Sequence, residues 1–325
     1  MTTKTKAETM DISVVIPLFN ERESLSELSA WIGRVLAAEA LEYEVIMVDD
    51  GSTDASWDAI QDLSKSDSHV HGIRFRRNYG KSAALYCGFA KACGDVVITM
   101  DADLQDSPDE IPALYHKIKD EGFDVVSGWK QHRKDNVLTK NLPSKLFNAT
   151  ARCITGIRLH DMNCGLKAYR SDVVKNIEVY GEMHRYIPYL AKNAGFVHIT
   201  EVPVHHSKRK YGKSKFGMNR FVNGFLDLLS LWFLSTFGKQ PMHFFGYSGI
   251  AMFLIGGVMA VWIIASKLIR QGAGLPYRAV TDQPLFYLAL LAVVLGAMFF
   301  LAGFLGELVS RASGDRNHYN IKEEF

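Results

Sequence analysis

The chain has 325 residues and a formal net charge of +2, from 37 Lys and Arg against 35 Asp and Glu. This length exceeds what one core of typical size needs, so about two domains are expected. The nearly balanced charge gives no sign of a nucleic-acid-binding surface or an acidic tail.

Cysteine spacing and the N-terminus indicate where the polar part of the chain resides. No C-x-x-C spacing occurs among the four cysteines, which are Cys87, Cys93, Cys153 and Cys164. We therefore predict reduced thiols in the cytosol rather than a disulfide frame or a zinc site. The first ten residues are polar, so no secretory signal is predicted.

The first 215 residues alternate buried-strand patterns with helical ones. Five apolar runs predict strands, at Ile12–Phe19, Tyr43–Asp50, His71–Arg77, Asp95–Asp101 and Asp124–Trp129. A helical pattern follows each of the first four, and Ser107, Pro108 and Glu110 supply a cap, a first-turn proline and a capping-box acid. This alternation predicts an α/β domain with a mostly parallel sheet covered on both faces.

From about residue 219 onward the chain is mostly apolar. Two runs, Phe244–Ser266 and Leu285–Val309, are long enough to cross a bilayer, which takes roughly 20 residues. The alternative is a pair of buried core helices, but uncharged runs of this length are unusual in soluble cores. The predicted organisation is a domain over 1–215, a juxtamembrane segment over 216–240 and a two-span unit over 241–325.

The segment Asn219–Gly238 has a narrow polar stripe on an otherwise apolar helical pattern. The stripe is formed by Asn219, Asn223, Asp227 and Ser230. This pattern predicts a helix that lies in the membrane interface, with a third spanning helix as the alternative. Six basic residues cluster at and before its start, namely Lys208, Arg209, Lys210, Lys213, Lys215 and Arg220, which favours a cytoplasmic location for the domain and for both termini.

Polar clusters follow the predicted strands, and the carboxyl ends of parallel strands are where such sheets bind ligands. Asp101 and Asp103 come at the end of the fourth strand, with Gln105 two residues further on. In an extended backbone the two carboxylates would face the same way and offer hard oxygen ligands to Mg²⁺ or Mn²⁺. The alternative is a solvated acidic turn. Neither G-x-G-x-x-G after the first strand nor G-x-x-x-x-G-K-[ST] occurs, which argues against a dinucleotide cofactor and a P-loop NTPase.

Five motifs together resemble one protein family. They are "VVIPLFNERESL", "VDDGSTD", "RNYGKSAAL", "DADLQDSPDEIP" and "HHSKRKYGKSKFG", in this order. Together they resemble the family 2 glycosyltransferases of the GT-A fold, which is built on a Rossmann-like, mostly parallel sheet. Within that family the chain resembles the polyprenyl-phosphate glycosyltransferases, both dolichyl-phosphate mannose synthase and the bactoprenol glucosyltransferases with two C-terminal spans.

The resemblance implies a role for several residues. The residues that match the donor-binding positions are Pro17, Phe19, Glu21, Asp49, Asp50, Lys81, Asp101 and Ala102. Among them, Asp49 matches the acid that hydrogen-bonds the nucleotide base, and Asp50 could share that role. Those matching the metal motif are Asp101, Asp103 and Gln105. Arg209 and Lys215, from R-x-x-G-x-S-K, match basic residues at the donor and lipid phosphates.

Three further residues match family positions near the lipid acceptor and the reaction centre. Lys130 and Arg133 follow the fifth strand, where the family often has arginines for the lipid phosphate. Lysine gives a point charge there and not a bidentate fork. Asp161, in "LHDMNCGLKAYR", matches an acid near the reaction centre, and two roles stay open for it: acceptor orientation or general base, and a structural cap.

The expected reaction is inverting transfer of a sugar from a nucleotide-sugar to polyprenyl phosphate at the bacterial inner membrane, for modification of a cell-surface glycan. UDP-glucose and undecaprenyl phosphate are the predicted substrates, with GDP-mannose, a UDP-N-acetylhexosamine, a modified pentose donor or a dolichyl acceptor as alternatives. Mg²⁺ or Mn²⁺ is the expected cofactor, and a homo-oligomer, by analogy a tetramer, is expected.

Two rival functions remain at the level of sequence. A processive polysaccharide synthase shares the fold, but its Q-x-x-R-W motif is absent and two spans are too few for a polymer channel. A non-catalytic membrane scaffold would not need the complete Asp101-x-Asp103 and Arg209…Lys215 motifs.

Overall fold

The structure is a computed structural model. It describes residues 10–130, 152, 155–181, 183–207, 210–211, 230, 232–233, 236–237 and 240–312, with the side chains of 310–312 excepted. The chain divides into two compact units, Met1–Leu228 and Leu229–Phe325.

The first unit is an α/β domain. Its strands are β1 (Ile12–Leu18), β2 (Tyr43–Asp49), β3 (Val70–Arg74), β4 (Val96–Thr99), β5 (Val125–Trp129), β6 (Lys167–Arg170) and β7 (Ile199–Pro203). Its helices are α1 (Arg22–Ala38), α2 (Ser56–Ser66), α3 (Lys81–Lys91), α4 (Ile111–Lys119), α5 (Ser171–Lys175) and α6 (Ile187–Asn193), with 3₁₀ turns at Pro108–Glu110 and Met183–Arg185.

The seven strands form one sheet in the order β3-β2-β1-β4-β6-β5-β7. Strand β1 pairs in parallel with both β2 and β4, whereas β6 pairs antiparallel with β4 and β5. After β1 the chain builds outward on one side through β2 and β3, and then returns to place β4 on the other side. The crevice beyond the carboxyl ends of β1 and β4 is therefore the topological switch point, where ligands bind in open α/β sheets.

The strands with the clearest apolar runs in the sequence are the ones that are most buried. Every residue of β1 and β2 is buried, as expected for central strands with both faces covered, while β3 at the sheet edge is largely exposed. Helix α1 covers the sheet with the predicted apolar stripe, and its residues Leu25, Leu28, Ile32 and Leu36 are fully buried.

Three details differ from the sequence predictions. The sheet has two strands more than predicted, β6 and β7; β6 is antiparallel, and the sheet is mostly parallel as predicted. The fourth strand ends at Thr99, so Asp101 lies beyond it. Ser107 does cap the next helical segment, by accepting a hydrogen bond from the Asp109 backbone N–H at 3.3 Å, but the first turn is 3₁₀ and α4 begins at Ile111.

The second unit contains two long apolar helices, α7 (Pro241–Gly272) and α8 (Pro284–Ala312), at the positions of the predicted spans. Both are long and apolar enough to cross a membrane, by length and composition. Only 17% of the most apolar window of each helix is buried, which is unlike the core helices of a soluble protein. Most of the predicted interfacial helix lies outside the described residues.

Small residues bring α7 and α8 into close contact. A Cβ atom added at Gly249 would lie 2.7 Å from the Gly296 carbonyl oxygen, and the reverse distance is also 2.7 Å. A Cβ atom at Gly256 would lie 2.7 Å from the Ala289 carbonyl oxygen. The two helix backbones therefore touch at these points, as in other apolar helix pairs with small residues at the contact.

Candidate active site

Asn20 joins the loop after β1 to the loop after β2. It has a positive φ of 55°, a conformation that Asn tolerates better than most residues. Its side-chain oxygen accepts hydrogen bonds from the backbone N–H groups of Thr53 at 2.8 Å and Asp54 at 3.3 Å. Its own N–H donates to the Ser52 hydroxyl at 2.9 Å. The backbone around the predicted donor-binding residues Phe19 and Glu21 is therefore held in one arrangement.

Asp50 joins the loop after β2 to the loop after β3. Its two carboxylate oxygens accept the backbone N–H groups of Tyr79 at 2.7 Å and Gly80 at 2.9 Å. Burial raises the pKa of Asp50, and these two hydrogen bonds oppose that shift. Gly51 has a φ of 72°, and a Cβ there would lie 2.5 Å from the carbonyl carbon of Arg77, so only glycine fits.

Asp49, predicted to face the nucleotide base, is the last residue of β2 and is fully buried. One of its oxygens accepts the Ser52 N–H at 2.8 Å, and the other lies 3.7 Å from Arg74 Nε. Pro17 is buried within β1, in register with Val48. Both residues thus lie at the carboxyl ends of the two central strands, beside the switch point.

Asp101 and Lys81 form an ion pair at the same edge. Lys81 is the first residue of α3, and its ammonium contacts one Asp101 carboxylate oxygen. Burial alone would raise the pKa of Asp101, but Lys81, with Lys130 and His184 at longer range, holds that pKa well below its usual range. His184 is anchored by Ser82, whose hydroxyl lies 3.1 Å from His184 Nδ1. Asp101 is therefore held as an ionised carboxylate by the adjacent Lys81 ammonium.

The Asp101 carboxylate packs closely against the backbone of Gly165. A Cβ atom at Gly165 would lie 2.5 Å from Asp101 Oδ2, so any larger residue would displace the acid. Thr99 holds this backbone by donating from its hydroxyl to the Gly165 carbonyl at 2.9 Å. The buried Lys167 donates to the carbonyls of Met162, at 3.2 Å, and Cys164. Burial lowers the pKa of Lys167 and raises the pKa of the Cys164 thiol to about 12.

Asp103 and Gln105 lie in a turn, and the prediction of an extended backbone through Asp101 and Asp103 was wrong. Leu104, between them, has a positive φ of 57°. One Asp103 oxygen accepts the Gln105 backbone N–H at 3.2 Å, which fixes the turn locally. The Gln105 amide donates to the Ser207 carbonyl at 3.3 Å, and Ser207 N–H donates back to the Gln105 carbonyl at 2.8 Å. Ala102 is buried in the same turn.

Lys130 lies in a buried ion cluster. Its ammonium is 2.8 Å from Asp106 Oδ1, and its side chain is only 11% exposed. The same Asp106 oxygen lies 3.2 Å from His206 Nδ1. Burial alone would raise the pKa of Asp106, but His206 and Lys130 hold it below its usual value. Lys130, predicted to face the lipid phosphate, is thus engaged by an acid of the domain itself.

Asp161 is buried, and one of its oxygens accepts the Asn163 backbone N–H at 3.0 Å. The preceding residue, His160, is held by Glu201 of β7, whose carboxylate accepts the His160 N–H at 2.7 Å. The hydrogen bond from the Asn163 N–H to the Asp161 carboxylate, two positions earlier in the chain, is typical of a side-chain cap in a loop. The contact with Asn163 is that of a structural cap, and the role of Asp161 at the reaction centre stays a prediction.

Three predicted phosphate ligands, Arg133, Arg209 and Lys215, lie outside the described residues. Sequence reasoning missed several residues that build the site, namely Asn20, Asp106, Gly165, Lys167, His184 and His206. Asn20 carries the one usable sequence signal, because an Asn just after a buried strand often adopts a left-handed turn. Lys167 contacts residues three and five positions earlier in the chain, and the remaining ones act through contacts between residues distant in sequence, which no local pattern marks.

Comparison with known proteins identifies the family. Residues 13–178 match the model of glycosyl transferase family 2. The chain is 40% identical over 320 residues to an undecaprenyl-phosphate 4-deoxy-4-formamido-L-arabinose transferase of Shewanella sediminis, covering 96% of this chain and 92% of the relative. It is 31% identical over 313 residues to a dodecaprenyl-phosphate galacturonate synthase of Rhizobium johnstonii, covering 95% and 90%.

Solved structures agree on the fold. Glucosyl-3-phosphoglycerate synthase of Mycobacterium tuberculosis, in complex with Mn²⁺, UDP-glucose and glycerol 3-phosphate, superposes with a TM-score of 0.52. The identity is 19%, and the match covers 70% of this chain and 80% of the other. The prediction of a GT-A fold is confirmed.

The chain is therefore a member of glycosyl transferase family 2 and an enzyme. The resemblance to the polyprenyl-phosphate glycosyltransferases is confirmed as well, because the relatives named above transfer or attach sugars at polyprenyl phosphates according to their names.

Proposed function

We propose that this enzyme transfers a sugar from a nucleotide-sugar to a polyprenyl phosphate, with undecaprenyl phosphate as the acceptor. The carrying observation is Asp101, an ionised carboxylate at the switch point with Lys81 at its side. The two apolar helices that follow the domain suit an enzyme whose acceptor is a membrane lipid.

A divalent cation, Mg²⁺ or Mn²⁺, fits the residues at this edge. Among the described residues no group of three or more His, Cys, Asp and Glu side chains lies close enough to form a metal cage. That is the expected donor set for Mg²⁺ at a phosphate substrate, since it takes one or two carboxylates and completes its shell with phosphate and water. Asp101 and Asp103 would hold the cation, with Gln105 beside them. When bound, the cation would neutralise charge on the departing diphosphate.

The residues of the domain supply orientation and charge in this mechanism. The interlocked loops after β1, β2 and β3 would hold the nucleotide beside Phe19, Glu21 and Asp49. Lys81 would contact the donor diphosphate once Asp101 is engaged by the cation. A phosphate oxygen of the lipid attacks the anomeric carbon, the bond from that carbon to the diphosphate breaks, and the configuration inverts. The phosphate is already largely ionised near neutral pH, so no strong general base is needed.

The donor sugar is the finer part of the proposal. Glucose was the choice from the motifs, but the names of the relatives above point instead to galacturonate or 4-deoxy-4-formamido-L-arabinose. We propose a UDP-linked sugar of this acidic or C4-modified kind, with UDP-glucose as the second candidate. The sugar–lipid product would serve modification of a cell-surface glycan.

We place the enzyme at the bacterial inner membrane, with the α/β domain and both termini on the cytoplasmic side. The basic residues between 208 and 220 support this orientation, because they would meet the anionic cytoplasmic leaflet. A homo-oligomer, by analogy a tetramer, is proposed as well.

A transfer assay tests the proposal. Purified full chain in detergent, with Mn²⁺ and undecaprenyl phosphate, is offered radiolabelled UDP-galacturonate, UDP-4-deoxy-4-formamido-L-arabinose, UDP-glucose and GDP-mannose in parallel. Label in the organic phase with one UDP-sugar, lost on addition of EDTA, is the expected result. Label with GDP-mannose alone would overturn the donor assignment, and label from none of the donors would count against the reaction.

A further inference from the structure

The Asp106–Lys130–His206 cluster connects three parts of the domain that are distant in sequence. Asp106 belongs to the turn that follows β4, Lys130 follows β5 directly, and His206 follows β7. Asp106 and His206 also form an isolated antiparallel β-bridge. The proposed chemistry assigns no role to Asp106.

The cluster is buried and its charges are matched to each other. The side chain of Asp106 is 1% exposed, that of Lys130 11% and that of His206 15%. Within the described residues, Asp106 Oδ1 contacts the Lys130 ammonium and His206 Nδ1, whereas Oδ2 is buried without a hydrogen bond. Removing one partner from such a pair leaves an uncompensated buried charge, which destabilises a protein far more than replacing both partners together.

Two further contacts join the same segments. Ser207 and Gln105 exchange hydrogen bonds through their backbones and the Gln105 amide, at 2.8 and 3.3 Å. The His205 backbone N–H donates to the Glu110 carboxylate at 3.1 Å. The segment His205–Ser207 is therefore fastened along the turn that carries Asp103 and Gln105.

We propose that this cluster is a positioning device: it fixes the segment His205–Ser207 against the Asp101–Gln105 turn, and Lys130 acts through Asp106 instead of binding the lipid phosphate. This inference rests on the proposed function for its catalytic consequence. The reason is geometric, since Lys130 could reach a phosphate outside only by leaving the buried Asp106 carboxylate with His206 as its remaining side-chain partner among the described residues. The turn held in this way carries Asp103 and Gln105, so loss of the cluster would displace the proposed metal ligands.

A double-mutant cycle tests the assignment. Lys130→Met, Asp106→Asn, the double variant and Lys130→Arg are compared for kcat and for KM toward undecaprenyl phosphate. For Lys130→Met we expect kcat to fall about a hundredfold with KM changed less than about threefold. The double variant should recover at least about tenfold of that loss, and Lys130→Arg should retain most activity.

The opposite pattern would overturn the proposal. If Lys130 binds the lipid phosphate, Lys130→Met raises KM for the lipid and Asp106→Asn restores nothing. Lys130→Arg and the double variant keep the charges balanced, so they stay informative if Lys130→Met folds poorly. The exposed pair Lys119–Asp95, 2.7 Å apart, gives the control, and Lys119→Met should leave kcat and KM unchanged.

Thermal unfolding of the same full-length variants separates this inference from the proposed function. The Tm should fall by about 10 °C in Lys130→Met and return toward wild type in the double variant. Absence of transfer by the wild-type chain would reject the proposed function, whereas additive Tm changes would reject the cluster.

Discussion

At the scale of single residues, the site is built from charges that pair with one another. Asp101 is held ionised by Lys81, and its other side rests on the backbone of Gly165. Asp50 is engaged by backbone N–H groups through both of its oxygens. These contacts fix the carboxylates before a substrate arrives, which lowers the cost of organising them during the reaction.

Lys81→Met should lower the transfer rate by about a hundredfold, because the variant removes the cation beside Asp101 and, in the proposed mechanism, beside the leaving diphosphate. Initial rates at saturating nucleotide-sugar and lipid measure this. Lys91→Met, at the exposed far end of the same helix, serves as the control and should behave as wild type. Wild-type turnover in Lys81→Met would remove Lys81 from the mechanism.

Asp161→Asn separates the two roles considered for this residue. Asn keeps a side-chain oxygen that can accept the Asn163 N–H, so a structural cap predicts activity within about threefold of wild type. Asp161→Ala removes the acceptor and should lower the free energy of unfolding by about 1–3 kcal/mol. Transfer rates and chemical denaturation of both variants give the measurement. A stable but inactive Asp161→Asn would establish a general base instead.

Sequence patterns predicted which residues belong to the site more successfully than they predicted the contacts between those residues. Asp101 and Lys81 were predicted because each lies in a recognisable motif at the start or end of an element. The pairing of Lys130 with Asp106 was missed, since the two residues lie 24 positions apart and meet only through the order of the strands. The turn at Asp103 was misjudged because Leu104 adopts a positive φ that its side chain does not favour.

At the scale of elements, the position of β6 in the sheet determines which loop lies against Asp101. This antiparallel strand lies between β4 and β5 and brings the loop of Asp161–Gly165 against Asp101. Its four residues and the five of β7 lack the long apolar runs of β1 and β2. Short strands of mixed polarity carry a weak periodic signal, so the sequence predicted the five strands with stronger patterns and missed these two.

Packing of α7 on α8 provides a test at the same scale. A Cβ at Gly249 would lie 2.7 Å from the Gly296 carbonyl oxygen, whereas one at Gly257 meets nothing within 4 Å. Gly249→Leu should therefore lower the free energy of unfolding in mixed detergent by about 1–3 kcal/mol. Gly257→Leu adds the same apolar surface to the same helix and should stay within about 0.5 kcal/mol of wild type. Equal effects of the two substitutions would show that the glycine contact contributes nothing.

At the scale of the whole molecule, the two units differ in the surface they present. The α/β unit buries its apolar side chains beneath charged helices, whereas α7 and α8 expose large ones, among them Phe253, Leu254, Trp262 and Leu301. An apolar surface of this extent on a soluble monomer would promote association, and it suits a lipid environment. The two apolar helices α7 and α8 were predicted directly from hydropathy.

Metal-dependent sugar transfer is tested by label transfer to undecaprenyl phosphate by wild type and by Asp103→Asn, each with saturating Mn²⁺ and the preferred donor. Asn keeps the size of the side chain and an oxygen for the Gln105 N–H, but removes the charge. We predict EDTA-sensitive transfer by wild type, and transfer reduced at least about a hundredfold in Asp103→Asn with binding of the lipid unchanged. Full transfer by Asp103→Asn would contradict a metal-dependent reaction at this edge of the sheet.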